Sequence, residues 1–266
     1  MSSICNHAKC DSLSPVAEHN EFNQAFIKSV ERGAIFQQSL LPSDLSVTEG
    51  VKFASAYIPR LKVSGDFFTV RKIDEDRVFI MVSDASGSGV IGALLSVMFV
   101  GILTNYETRR HEPARLLQTL NRDLCKNLSD GLHITAFCGV LSLSAKMFVF
   151  ANAGHPFPLH FRKGTGKVEP LKQENFFLGM IPDATYEEQR VLLESGDRLL
   201  FYTDGLTQNE CACGTEPLDV TALGSELSKC KDRRIEEVPE EICRKALSLT
   251  CNSFEDDVIV LALEVE

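Results

Sequence analysis

Four aspartates stand beside turns and strand-like apolar runs, in widely separated parts of this 266-residue chain. They are Asp66, Asp84, Asp204 and Asp256. A carboxylate at the end of a buried strand costs free energy unless another group pairs with it. Hard divalent cations prefer oxygen ligands, so four such side chains brought together could bind metal ions. The pattern indicates a metal-dependent hydrolase, although a single aspartate of this kind is more often a strand-end or helix-cap residue.

The donor types narrow the choice of metal and of mechanism. None of the four segments supplies a His or Cys ligand, which zinc usually takes, so two ions of Mn²⁺ or Mg²⁺ are favoured. Two ions about 4 Å apart can activate a water molecule and hold phosphate oxygens. Gly87–Gly89 matches neither a serine-nucleophile elbow nor a Walker A loop. His155 is a candidate general acid, but we expect a structural role for it, and we expect His133 and His160 to be strand residues.

Six short motifs follow one another along about residues 24–264. They are Gln37 to Pro42, Ser64 to Phe68, Asp84 to Gly89, Asn152 to Pro156, Phe201 to Thr207 and Asp256 to Ile259. Their order and context resemble the bacterial SpoIIE/RsbU branch of the PPM protein phosphatases. One short motif is weak evidence, whereas six in order are strong evidence.

The resemblance implies roles for particular residues. The implied catalytic and metal-binding side chains are those of Asp66, Asp84, Asp204 and Asp256. The backbone carbonyl of Ala85 is implied as a further ligand, and Asp204 is expected to bind the second metal. Asp256 is chosen over Asp257 by alignment with the motif, which leaves Asp257 as a supporting partner or a substitute.

The resemblance further implies a protein serine/threonine phosphatase in which water attacks phosphorus directly, with no phosphoenzyme. The implied substrate is a small phosphorylated regulator of the anti-sigma-factor antagonist type, in a partner-switching pathway. Three positions depart from the family pattern: Thr69, Gln208 and Ile259. They leave open a catalytically weak pseudophosphatase that binds a phosphoprotein or a regulator. A hydrolase of a small phosphorylated metabolite is a third, weaker hypothesis.

Apolar periodicity predicts the elements that must position these residues. Predicted strands cover residues 51–59, 66–73, 77–83, 133–142, 146–152, 157–162, 168–171, 187–193, 198–203 and 257–265. Predicted helices cover residues 21–41, about 89–106 and 113–128, with two more between 217 and 248. Because strand pairs alternate with helix pairs, the pattern favours an α+β fold, an α-β-β-α sandwich with two mainly antiparallel sheets between helices. The resemblance implies the same architecture.

The predicted domain organisation is a flexible leader over residues 1–20, a linker helix over 21–42 and a phosphatase domain over 43–266. In the resembling family this helix can mediate dimer contacts, so a homodimer through it is possible. We expect an activating signal to come from another protein or from dimerisation.

Composition limits the partners. The formal net charge of −10 argues against general nucleic-acid binding, which needs a basic surface. The most apolar run, Val90 to Leu103, is short for a membrane span, and the chain starts without a signal-peptide pattern. A cytoplasmic location without membrane contact is therefore expected.

The nine cysteines do not suggest a disulfide framework, because their number is odd and no secretory signal precedes them. Cys138 and Cys243 lie in apolar patterns and are expected in the core. Cys211 and Cys213 fall in a predicted loop, where exposed thiols are a better interpretation than a zinc or redox site.

Overall fold

In the described residues, the α-helices after the first come in two pairs, as the periodicity predicts, but the strands between those pairs form a run of six. The computed structural model describes residues 15–128, 131–208, 218–250 and 252–266. Within these ranges the α-helices are α1 (Pro15–Gln38), α2 (Val90–Thr104), α3 (Pro113–Asn127), α4 (Val220–Lys229) and α5 (Val238–Leu249). The strands are β1 (Val51–Ile58), β2 (Asp66–Lys72), β3 (Arg77–Ala85), β4 (Ile134–Ser142), β5 (Met147–Ala153), β6 (Leu159–Arg162), β7 (Lys167–Pro170), β8 (Gln189–Leu192), β9 (Arg198–Tyr202) and β10 (Val258–Val265).

The strands form two antiparallel sheets of five strands each. One sheet has the order β1-β10-β9-β6-β7, and the other has the order β2-β3-β4-β5-β8. The chain visits the two sheets in turn, so that β1 and β10, from its two ends, pair along their full length from Val51↔Val265 to Ile58↔Val258. Strands β1 and β10 thus keep one register along their full length, and this pairing fixes the positions of their ends.

Alternating side chains on each strand divide the core into three layers. On β3, Phe79 and Met81 face α2 and α3, whereas Ile80 and Val82 face the other sheet. The space between the sheets is also filled by Phe201 from β9. A third apolar layer lies between the first sheet and helices α4 and α5. This arrangement confirms the predicted α-β-β-α sandwich, since a two-residue period sends neighbouring side chains to opposite faces.

Two boundaries differ from the prediction in ways that matter. Helix α1 begins at Pro15, inside the predicted leader, and ends at Gln38 in tight turns before Pro42. Proline at a first helical position costs no hydrogen bond, and the polar residues after it continue the helix without apolar periodicity. Strand β3 runs two residues past the predicted end, to Ala85. The remaining leader residues, 1–14, lie outside the described part of the chain.

Cys138 and Cys243 are buried, as predicted, and Cys230 is buried as well. The prediction for Cys211 and Cys213 falls outside the described residues. Across the parts of the chain that the structure describes, no helix combines the length and apolarity needed to cross a membrane.

Candidate active site

Asp66 and Asp84 lie directly opposite each other on two neighbouring strands. Asp66 opens β2 and Asp84 is the next-to-last residue of β3, and the two are partners in the antiparallel register. Residues paired in this way have Cβ atoms about 4.5–5.5 Å apart. Asp66 is buried, with 3% of its surface exposed, whereas Asp84 is half-buried. The extension of β3 beyond its predicted end is what brings Asp84 into this pairing.

The other sheet delivers Asp204 and Asp256. Asp204 begins a short 3₁₀ helix directly after β9, and Asp256 lies just before β10. Thr203 joins these two segments, because its backbone N–H donates to the Ile259 carbonyl and its hydroxyl accepts from the Ile259 N–H. The ends of two different sheets therefore supply the four predicted aspartates.

Electrostatic repulsion connects the four carboxylates, which therefore lie near one another. Burial and then the charge of Asp84 raise the pKa of Asp66 well above its usual range. Burial, followed by the charges of Asp204 and Asp256, raises the pKa of Asp84 to about 7. The pKa of Asp204 is raised by burial and by Asp256. Asp84 and Asp256, which are 172 residues apart in sequence, thus influence each other electrostatically.

These donors suit a divalent cation. All are carboxylates, and the buried Oδ2 of Asp66 has no hydrogen-bond partner. Among the described residues, no group of three or more His, Cys, Asp or Glu side chains is placed so that it could hold a metal ion by itself. Mg²⁺ keeps several waters and commonly binds through one or two carboxylates, so a full protein cage is not required. An uncompensated group of acids is costly, and a cation would remove that cost.

Ala85 lies against the loop that carries Asp66. Its N–H donates to the Gly65 carbonyl over 3.3 Å. A Cβ atom at Gly65 would come within 2.8 Å of the Ala85 carbonyl oxygen, so the two backbones approach this closely only because residue 65 is glycine. The Ala85 carbonyl is thus beside the aspartates, where the resemblance expects a ligand.

Asp256 and Asp257 have different surroundings. The Asp257 carboxylate is buried and accepts backbone N–H groups of Arg60 and Gly65 over 2.8 and 2.9 Å. Asp256 is exposed, and its charge acts on Asp84 and Asp204. Because both oxygens of Asp257 already bind the loop before Asp66, Asp256 has the freer carboxylate.

The linker helix reaches the same loop. The buried Gln37 side chain donates to the Ser64 carbonyl and accepts the Ser64 N–H over 2.9 Å. The Ser64 hydroxyl in turn accepts the Asp66 N–H over 3.0 Å. Helix α1 is therefore connected to the first aspartate through two residues, a link that the sequence motif alone did not reveal.

A cleft of about 450 Å³ opens beside Asp84 and Asp204. One wall is aromatic, because the Phe177 ring stacks on His133 with centroids 4.8 Å apart. The His133 N–H donates to the Ser86 hydroxyl, and the Ser86 N–H donates to the His133 carbonyl. The sequence pattern predicts only a strand residue at His133, which lies directly before β4. Its position across from Ser86 follows from the β3–β4 register, which single-sequence periodicity does not supply.

His155 lines the cleft and its buried Nε2 has no hydrogen-bond partner among the described residues, so the structural role expected for it stays a prediction. It is buried, and its Nδ1 is 2.8 Å from the Thr135 hydroxyl. Burial lowers the pKa of His155 to about 3, so the ring is neutral at ordinary pH. The Asn152 side chain holds the His155 backbone at both its N–H and its carbonyl.

The three departures from the family pattern have unequal consequences. Thr69 is buried within β2, and Ile259 is buried in the core between the sheets. Thr69 is an odd number of residues from Asp66, so it faces the opposite side of the strand. Gln208 lines the cleft beside Asp204. The departures at 69 and 259 therefore leave the group of carboxylates intact.

Comparison with known proteins places this geometry in a family. A family model described as Stage II sporulation protein E (SpoIIE) matches residues 74–266. The phosphoserine phosphatase RsbU of Bacillus subtilis (strain 168) is 25% identical over 241 residues, which make up 90% of this chain and 71% of RsbU.

Solved structures share the fold. The SiaA-PP2C domain of Pseudomonas aeruginosa aligns with a TM-score of 0.81 at 20% identity, over 92% of this chain and 98% of that one. RsbX in complex with magnesium aligns with a TM-score of 0.64 at 17% identity, over 84% of this chain and 99% of that one. Since the SpoIIE model spans more than half of the chain, including Asp84, Asp204 and Asp256, the chain belongs to the SpoIIE family, and the predicted kinship with PPM phosphatases of the SpoIIE/RsbU type is confirmed.

Proposed function

We propose that this chain is a metal-dependent protein serine/threonine phosphatase whose site is built by Asp66, Asp84, Asp204 and Asp256. The observation that carries the proposal is the convergence of these carboxylates from two sheets, where burial and then the charges of Asp204 and Asp256 raise the pKa of Asp84 to about 7. Membership of the SpoIIE family and the similarity to a phosphoserine phosphatase support it.

The residues that would hold two divalent ions are the four aspartates, together with the Ala85 carbonyl. When bound, such ions neutralise phosphate charge and make water a better nucleophile. The relative named RsbX was solved with magnesium, and Mg²⁺ and Mn²⁺ both suit oxygen donors. Magnesium or manganese is therefore the proposed cofactor.

Other residues of the chain keep the aspartates in place. Asp257 holds the Arg60–Gly65 backbone, and Gln37 holds Ser64. The Phe177 and His133 rings form the wall against which an incoming phosphoester would lie. Neutral His155 supports the cleft from within and carries no charge to the phosphate.

The proposed substrate is a phosphorylated protein of the anti-sigma-factor antagonist type. This part of the proposal rests on the similarity to RsbU and on the motifs shared with its branch of the family. A protein partner that activates the chain belongs to the same proposal. The net charge of −10 is consistent with a protein rather than a nucleic-acid partner.

Phosphate release from a phosphoserine protein, with Mg²⁺, Mn²⁺ or EDTA, tests the proposal. We expect metal-dependent release that falls at least about 100-fold in Asp84→Asn, a loss larger than removal of an outer supporting group would cause. The matched control is Asp232→Asn, which changes an exposed aspartate between α4 and α5. Full turnover by Asp84→Asn would contradict the site. Tight binding of the phosphoprotein without metal-stimulated release would favour the pseudophosphatase.

A further inference from the structure

A second groove continues from the catalytic cleft across the outer face of the molecule. It has a volume of about 660 Å³ and lies between the β6–β7 hairpin and helix α4. Phe157 and Val220 line both the groove and the cleft that contains Asp84 and Asp204. The two depressions therefore adjoin each other at these residues.

The two walls of the groove differ in chemistry. On the strand side, Val168 and Pro170 line the groove. The alternate residues of β7 are exposed and do not line the groove. On the helix side, Thr221, Ser225 and Ser228 share one face, because they are spaced by four and three residues. An apolar wall opposite small hydroxyl groups suits an extended polypeptide, which offers side chains to one wall and backbone hydrogen bonds to the other.

The width of the groove depends on small side chains of α4. A Cβ atom at Gly224 would already contact Val168 at 3.4 Å, so a larger residue there would fill the groove floor. Ser225 is exposed, so its side chain can be enlarged without disturbing the core. Of the described residues that line the groove, Lys172 alone is charged. A segment that is neutral or acidic is favoured here over a basic one.

We propose that this groove binds the polypeptide that flanks the phosphorylated residue of the substrate, as an extended, neutral-to-acidic segment. The inference rests on the proposed phosphatase activity. A phosphoserine whose ester lies beside Asp84 must continue as a chain, and the groove receives that chain at Phe157 and Val220. The groove then contributes to selection of a protein substrate over a small phosphoester.

The test compares substrates of different length with a variant that narrows the groove. The short substrates are p-nitrophenyl phosphate and N-acetyl-phosphoserine amide. The long substrate is a phosphoserine peptide of about ten residues with alanine and glutamate flanks, roughly 33 Å when extended. In Ser225→Tyr, we expect the ratio of kcat/KM for the peptide to kcat/KM for p-nitrophenyl phosphate to fall about tenfold, through KM. Ser248→Tyr, at an exposed serine of α5, is the matched control and should keep the wild-type ratio.

Charge gives a second readout. Lys172→Glu should lower kcat/KM for the glutamate-flanked peptide, and the loss should shrink as salt is added, because screening weakens exposed charges. An unchanged ratio in Ser225→Tyr, or an equal loss for long and short substrates, would overturn the proposal. A change of oligomeric state in Ser225→Tyr would also overturn it, because it would assign the groove to a second copy of the chain. Failure of the phosphatase proposal is distinct, since the wild type would then hydrolyse none of the three esters.

Discussion

Asp84 is the residue on which the other acids of the site converge. It faces Asp66 across the β2–β3 ladder and is repelled by Asp204 and Asp256 from the other sheet. Burial and the charges of Asp204 and Asp256 disfavour its ionised form, whereas the hydrogen bond with Asp66 favours it. Without a metal ion, this repulsion between carboxylates destabilises the folded chain. It also favours binding of a cation, because each carboxylate is attracted to a divalent ion.

Burial of Asp84 together with this repulsion predicts a pH-dependent stability in EDTA. The pKa of Asp84 is about 7 in the folded chain against a reference value of 3.8. The folded chain therefore binds the proton more tightly, and stability is lost as the pH rises from about 4 to 7. Asn cannot ionise, so Asp84→Asn should melt several degrees above the wild type at pH 8, since about 1 kcal/mol corresponds to roughly 2–4 °C.

Differential scanning calorimetry at two pH values measures this effect. The gap between Asp84→Asn and the wild type should shrink at pH 5, where the wild-type carboxyl is protonated. Addition of Mg²⁺ should raise the melting temperature of the wild type more than that of the variant, because binding stabilises the native state. A gap that is the same at both pH values would show that Asp84 is not repelled as described.

The adjacent Asp256 and Asp257 should separate activity from stability. Asp257→Ala leaves the buried backbone N–H of Gly65 without its acceptor, which costs about 1–3 kcal/mol, and it also removes the acceptor of the N–H of the exposed Arg60. Asp256→Ala removes an exposed carboxylate and should change the free energy of unfolding by no more than about 0.5 kcal/mol. Its phosphatase activity should nevertheless be lost. Urea unfolding and phosphate release, measured on both variants, test these expectations. An active Asp256→Ala would contradict the assignment of Asp256 to the site.

At the scale of elements, the site exists because two sheets end at the same place. Strands β2 and β3 supply one pair of acids, and the segments beside β9 and β10 supply the other. Neither sheet could form the site alone. The turns at the strand ends must therefore be tightly packed, as the turn at Gly205 shows. A Cβ atom at Gly205 would lie 2.1 Å from the Asp257 carbonyl oxygen.

Substitution of Gly205 should therefore disturb the junction between β9 and β10. Gly205→Ala forces the Asp257 backbone to move, and we expect a loss of about 1–3 kcal/mol of stability, as overpacking typically costs. The metal concentration needed for half-maximal activity should also rise. Gly101→Ala is the control, because nothing lies within 4 Å of a Cβ atom on this helix residue. It should gain about 0.5–1 kcal/mol. Thermal unfolding that ranks the two variants in the reverse order would contradict this packing.

At the scale of the whole molecule, the sequence predicts the layers of the sandwich and the four aspartates. It does not predict the residues that form the walls of the cleft. Continuous apolar runs mark β3 and β10 in the sequence, because one face of each packs on helices and the other on a sheet. The six motifs in a fixed order then predicted that Asp66, Asp84 and Asp204 belong to one site. The aromatic wall could not be found in this way, because Phe177 meets His133 only through tertiary packing.

Alignment with the motif chose Asp256 over Asp257, but local sequence patterns gave no physical reason for that choice. Both are aspartates before the same strand, and their difference lies in contacts to Arg60 and Gly65, almost 200 residues earlier. The start of helix α1 was missed for a different reason. Its first residues lack the apolar spacing that marks a packed helix.

The linker helix also leaves an apolar surface exposed on the molecule, made of α1 and the start of α2. Phe26 is 56% exposed, Phe36 is 57% exposed and Leu94 is 66% exposed. A groove of about 400 Å³, lined mainly by apolar residues, lies between the two helices. Contiguous exposed apolar residues of this kind mark interaction surfaces. The sequence prediction of a homodimer through this helix remains a prediction, now with a defined surface.

Light scattering over a range of protein concentrations tests the homodimer. We expect a concentration-dependent dimer for the wild type, and a shift towards monomer in Phe36→Glu, because a buried unpaired carboxylate would oppose association. Phe176→Glu is the matched control, since Phe176 has the same 57% exposure as Phe36 but lies in another part of the chain. Equal weakening by both variants would point to general loss of apolar surface rather than to the helix. A wild-type monomer at high concentration would rule out the homodimer and leave this surface to a different protein partner.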